Sequence, residues 1–162
     1  MPDLLLASSS PYRRTLLERL GLPFICAAPD IDETPAANES PEQLTQRLAL
    51  DKARALAERY PQHLIIGSDQ VLLLDGQSVS KPGTHAAAVA QLQRCSGRTV
   101  RFTTALCLLN SATDRYQLIS EPFDVSFREL SDETIERYLQ QEQPYDCAGS
   151  FKSEGFGISL FR

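Results

Sequence analysis

The sequence predicts an α/β fold, and three observations support it. Short apolar runs that read as buried strands, LLLA at 4–7 and LIIG at 64–67, alternate with segments of helical periodicity. A helix-start signal stands directly behind the first of these strands, in SSSP at 8–11. The second half then turns to longer strands, TVRFTTALCLLN and YQLISEPFDVSFREL. One mixed α/β domain spanning residues 1–162, with two lobes accommodated within it, fits this order of elements. A chain of 162 residues is long enough to bury about 70% of its unfolded surface.

Each element has its own signal. LLLA runs straight into Ser10, an N-cap, and Pro11, suited to the first helical position; LLERL continues that helix and Gly21 closes it. FICAA at 24–28 is a second strand, followed by the acidic loop PDIDETP. SPEQ at 40–43 is a capping box, and it opens a helix expected to run to about Tyr60 and stop before Pro61. LIIGSDQVLLLDGQSVS reads as a strand, a break at 67–70, and a hairpin turning at Asp75-Gly76. An alanine-rich helix is expected from Thr84 to about Cys95, ended by Ser96-Gly97. The second of the two longer strands alternates at Phe123, Val125 and Phe127. SDETIERYLQQEQ is an amphipathic helix, and GSFKSEGFGISLFR reads as a glycine-broken strand.

Composition excludes several function classes. A net charge of -5 argues against a nucleic-acid polymer as partner, which calls for a basic face. There is neither a charged-then-apolar leader nor a run of about 20 apolar residues, so neither export nor a membrane span is expected, and the cytoplasm is the expected location. Cys26, Cys95, Cys107 and Cys147 are widely spaced, and only His63 and His85 could join them, so a zinc site is not expected; buried, reduced thiols are.

The residues that suggest chemistry are those that break local rules. Arg13 and Arg14 occupy the first turn of a helix, where the macrodipole favours Asp or Glu. Two solvated arginines would be the plain explanation; a phosphate held among them and the free N–H groups would reverse the penalty. Lys52 falls on an i+4 ladder with Leu44, Leu48 and Leu56, where a lysine either snorkels to water or serves a site. Lys81 precedes Pro82-Gly83 in a loop whose default is a solvated lysine. Asp69 follows an apolar strand at the end where α/β sheets bind ligands, with an Asx turn or helix cap as its structural alternative. Glu33 lies in the acidic loop, which alone could be a solvated one. Together these carboxylates, arginines and lysines suit a polyanion bound with a divalent cation.

LLLASSSPYRRTLLERLGLPF, DIDETP, DKARALA, LIIGSDQ, VSKPG and CAGSFKSEGFGI resemble, in order and spacing, the Maf family, across essentially the whole chain. The resemblance implies an elongated mixed sheet with flanking helices, its two lobes set around a central cleft as in inosine triphosphatases. It implies a nucleoside triphosphate pyrophosphatase that splits the α–β bond with Mg²⁺ or Mn²⁺, releasing a monophosphate and pyrophosphate. By matching motif, Asp69 would be the catalytic base, and Arg13, Lys52 and Lys81 would hold phosphates, with Arg14 a further candidate. Glu33 and Asp69 would hold the metal. SPYRR, SDQ and KSEG resemble the subgroup acting on 7-methyl-GTP. Tyr12 would offer a ring to the cationic base, Glu154 would accept its N1–H and N2–H₂ donors, and Gln70 would touch the base edge or sugar. Family members continue past this last strand with a glycine- and asparagine-containing loop and a final helix, a segment not found before Arg162. A homodimer is compatible with the resemblance. Because the family is linked to septum formation, a regulator that binds triphosphate and metal without turnover is the alternative, and metal-dependent pyrophosphate release discriminates the two.

Overall fold

In the computed structural model, residues 3–152 and 155–162 are described. The elements follow in the order β1 (Asp3–Ala7), α1 (Pro11–Glu18), β2 (Phe24–Ala27), α2 (Pro41–Arg54), β3 (His63–Leu74), β4 (Gln77–Val79), α3 (His85–Cys95), β5 (Thr99–Asn110), β6 (Arg115–Ser126) and α4 (Asp132–Glu142). The strands make one mixed sheet in the order β2-β1-β3-β5-β6, with β4 paired to β3. β1 lies parallel to both β2 and β3, whereas β4 is antiparallel to β3. Among the described residues no helix is long and apolar enough to cross a membrane.

Local chemistry accounts for the helix starts. Ser10, Ser40, Thr84 and Ser131 each accept an N–H from three residues on, at Arg13, Gln43, Ala87 and Thr134. At Ser40 the Gln43 side chain reciprocates, completing the capping box. Three expectations fail. α2 ends at Arg54 rather than near Tyr60, because the N–H groups of Leu56 and Ala57 turn to carbonyls only three residues back. β3 passes unbroken through residues 67–70. The C-terminal stretch forms 3₁₀ turns at Ala148–Ser150 and Phe156–Leu160, with an isolated bridge from Phe161 to Phe127 in place of a strand. Gly149 and Ser150, at φ 73° and 60°, take the chain out of extended conformation.

The chain divides into two units, the first running up to Gln70 and including Thr104–Glu121. Its core sets Leu5, Ile65 and Leu109 of the strands against Ala49, Ala53 and Leu56. α2 comes so close to β3 that a Cβ on Gly67 would overlap the Ala49 carbonyl oxygen and crowd the Ala53 nitrogen. The small residues Ala49 and Ala53, one helical turn apart, permit that approach. α1, by contrast, buries none of its residues.

The second unit comprises Val71–Thr103 and Pro122–Arg162. Leu72, Leu92, Val100, Ile135 and Leu139 fill its core together with Phe127. Phe102, Phe127, Phe151 and Phe161 pack edge to face, with ring centroids between 4.9 and 6.0 Å apart. Of the cysteines, Cys95 and Cys107 are buried, and burial pushes each thiol up to about 11. Cys26 is exposed and Cys147 partly so, which corrects the expectation that all four are buried.

Candidate active site

Parallel pairing gathers the site. Leu6 of β1 stands opposite Cys26 of β2 and Ile66 of β3, so all three strands point their carboxyl ends the same way. The serine turn into α1 and the acidic loop that carries Glu33 leave the ends of β1 and β2, and Ser68-Asp69 lie within β3 just beyond its last pair with β1. This is the side of an α/β sheet where ligands bind.

Four charged side chains converge there. Lys52 reaches across from α2, its Nζ 2.7 Å from Asp69 Oδ1 and 3.0 Å from Glu33 Oε1. Its side chain is 8% exposed and that of Asp69 13%. Of the ladder expected from sequence, Leu48 and Lys52 are buried on α2 and Leu44 is half-buried; Leu56 is buried too, but lies just past the helix end. The ammonium does not snorkel to water, however; it ends between two carboxylates. Arg13 Nη1 donates to the Ser68 carbonyl at 2.9 Å. Burial lowers the Arg13 pKa from its ordinary value, while Asp69 and Glu33 act to raise it, so its guanidinium lies within the field of both carboxylates.

The two arginines part company. Successive helical residues face about 100° apart, and Arg14 turns to Glu18 on its own helix, Nε to Oε1 3.0 Å, with both side chains at least half exposed. Tyr12 is half-buried in the first turn of α1. Gln70 is exposed on β3, and its Nε2 donates to Thr104 Oγ1 of β5 at 2.8 Å. Lys81 is exposed in the second unit, on the loop between β4 and α3. Glu154 lies outside the described residues.

Sequence inspection passed over Arg47. From α2 it forks onto Glu39, Nε to Oε1 2.6 Å and Nη2 to Oε2 2.9 Å, and donates to the Thr34 carbonyl at 3.1 Å. The Arg47 hydrogen bond, and after it the Ala36 N–H, hold Glu39 down at about 2. The available signal was an arginine nearly two turns into a helix that follows a loop rich in acids.

Among the described residues no group of three or more His, Cys, Asp or Glu side chains converges as a metal cluster. Two carboxylates facing one cation nonetheless fit a hard divalent ion of the Mg²⁺ type, which takes one or two carboxylates and completes its shell with water and substrate phosphate. With Arg13 and Lys52 beside them, the arrangement can bind a polyphosphate and activate a water next to it.

A family model described as Maf-like protein matches residues 3–162. Proteins from Pseudomonas aeruginosa, Pseudomonas savastanoi pv. phaseolicola and Pseudomonas syringae pv. tomato are each 60% identical over 162 residues, covering 100% of this chain and 84% of theirs; each is named 7-methyl-GTP pyrophosphatase. A crystal structure of protein VC0702 from Vibrio cholerae aligns over 98% of this chain and 82% of its own at 13% identity, with a TM-score of 0.43, too low to support an assignment. On the breadth of the family match and the identity to these relatives, the chain belongs to the Maf family.

Proposed function

We propose that this protein is a nucleoside triphosphate pyrophosphatase that hydrolyses the α–β bond of 7-methyl-GTP. The observation that carries the reading is the Lys52 ammonium shared between Asp69 and Glu33 beside a half-buried Arg13. The substrate is suggested by relatives named for it at 60% identity.

In this reading Asp69 takes a proton from the water attacking the α-phosphorus. A water–phosphorus bond forms as the bridging α–β P–O bond breaks, and pyrophosphate departs with the bonding pair. Lys52 engages Oδ1 of Asp69, which leaves Oδ2 for the water. Arg13 and Lys52 donate to the phosphate oxygens as charge shifts to the leaving group. Glu33 and Asp69 would hold Mg²⁺ or Mn²⁺, which when bound supplies charge neutralisation on the pyrophosphate. Tyr12 offers a ring to the methylated, cationic guanine, an attraction of about 2 kcal/mol when desolvated. Gln70, whose amide donates to Thr104, would touch the base edge or sugar. A reducing cytoplasmic setting suits four free cysteines.

The test is a panel of 7-methyl-GTP, GTP, UTP and dTTP with Mg²⁺ and Mn²⁺, with pyrophosphate and monophosphate measured separately in ¹⁸O-water. The expected result is fastest cleavage of 7-methyl-GTP with the label in the monophosphate. Binding without turnover would replace the enzyme by a sensor, and label confined to pyrophosphate would move the attack to the β-phosphorus.

A further inference from the structure

α2 carries two cations that reach back to the loop preceding it. Lys52 takes the Glu33 carboxylate, and Arg47 takes the carbonyl of the next residue, Thr34. The Thr34 N–H is meanwhile bonded to Asp32 Oδ1 at 2.9 Å, so residue 34 is pinned through both its backbone N–H and its carbonyl. Further along the loop, Glu39 receives the Arg47 fork and also accepts the Ala36 N–H at 2.9 Å. The Glu39 side chain is only 9% exposed and Arg47 34%, whereas the Glu33 side chain is 58% exposed. A glutamate that open is not fixed by one ion pair, because exposed pairs contribute little against side-chain entropy. Its placement depends on the backbone beneath it, and Arg47 is what attaches that backbone to α2.

We propose that Arg47 is a positioning residue for Glu33: its guanidinium locks the Thr34 carbonyl and, through Glu39, the loop that presents the Glu33 carboxylate to Lys52. The proposal rests on the reading of Glu33 as a member of the pyrophosphatase site. Arg47 touches neither Asp69 nor the reacting phosphates in this scheme and acts only through the loop. A lysine in its place keeps the charge but cannot hold Glu39 and Thr34 at once through a planar fork.

The test is a double-mutant cycle in the full chain, followed by kcat/KM for pyrophosphate release from 7-methyl-GTP and by Mn²⁺ affinity measured by electron paramagnetic resonance. Arg47→Ala is expected to lower both by about 10–100-fold, the range for groups that orient a metal ligand. Arg47→Lys should recover only part of that loss, and it also serves if the alanine variant folds poorly. Adding Arg47→Ala to Glu33→Gln should cost less than about twofold more, because both changes remove one function. Arg54→Ala, whose side chain pairs with Asp114, should stay within about twofold of wild type as a helix-surface control. Losses that multiply in the double variant, or full activity in Arg47→Ala, would overturn the positioning role. Absence of pyrophosphate release from the wild type would instead overturn the pyrophosphatase reading, and the cycle is then decided on Mn²⁺ affinity, where multiplying losses again count against Arg47.

Discussion

Phe127 and Lys52 occupy interiors built on different principles. Phe127 is fully buried in the second unit and meets the edges or faces of Phe151 and Phe161. Lys52, 6% exposed in the first unit, meets two carboxylates. Close-packed aromatic surface is straightforward stabilisation. A buried ion pair is not, since desolvation cancels much of its attraction and an apolar replacement is often as stable. The second unit's core is thus explained by folding alone, whereas stability alone does not explain the charged cluster of the first. Each side chain can be removed to test that division.

The largest effect is expected at Asp69. Asp69→Asn keeps the shape and removes the proposed base, so kcat should fall by about 10²–10⁴-fold in a protein that still unfolds cooperatively. Near-native turnover would return the cluster to a structural role. Phe127→Ala should do the reverse, costing about 3–5 kcal/mol in chemical denaturation while the folded fraction retains its turnover. A kcat loss there matching that of Asp69→Asn would erase the distinction. Gly67→Ala falls between the two classes. The added methyl pushes on the α2 backbone at Ala49 and Ala53, so about 1–3 kcal/mol of stability should go. Activity should drop with it, because Lys52 rides on α2 and Asp69 on β3.

Smaller effects sharpen the picture within the first unit. Glu39 is held at about 2, below its ordinary 4.5, chiefly by Arg47. A depressed carboxyl stabilises the fold above its unfolded pKa, and that contribution is lost as pH falls from about 4.5 toward 2. Acid titration of Glu39→Gln should lack this segment of the wild-type stability loss; identical profiles would show that the fork does not hold the loop. Arg14→Ala should matter least, at about 0–1 kcal/mol, because its partner Glu18 is an exposed neighbour on the same helix. A large loss of kcat/KM would favour Arg14 as a phosphate contact alongside Arg13.

Local signals made much of this legible in the sequence. Ser10-Pro11 and the capping box at Ser40 fix where α1 and α2 begin, because those side chains satisfy N–H groups within three residues. Lys52 announced itself by occupying the apolar ladder, and Asp69 by following the apolar run LIIG, although it proves to sit inside β3. What stayed hidden depends on partners distant in sequence. Gly67 looked like a strand break, yet its missing side chain is the space α2 needs, which only tertiary packing reveals. Arg13 and Arg14 are indistinguishable as letters; they separate because one faces Ser68, 55 residues away along the chain, and the other Glu18. Arg47 lacked any motif, its role being set by a loop folded back onto its own helix.

Neither unit is a continuous piece of polypeptide. The first is interrupted after Gln70 and resumes at Thr104–Glu121; the second is assembled from Val71–Thr103 and Pro122–Arg162. This sets a schedule during synthesis, when chain emerges at about 5–20 residues per second. Leu5 and Ile65 leave the ribosome long before Leu109 arrives to close their core, and the hydrophobic residues of β3 and α3 in the second unit wait longer still, for Phe127, Ile135 and Leu139. The half bearing Asp69 and Lys52 can therefore complete its interior while the aromatic core is still partly in the tunnel. Truncation at any one point after Gln70 removes part of one unit at least, so cutting this chain into independently folding halves requires rejoining its segments, not merely dividing them.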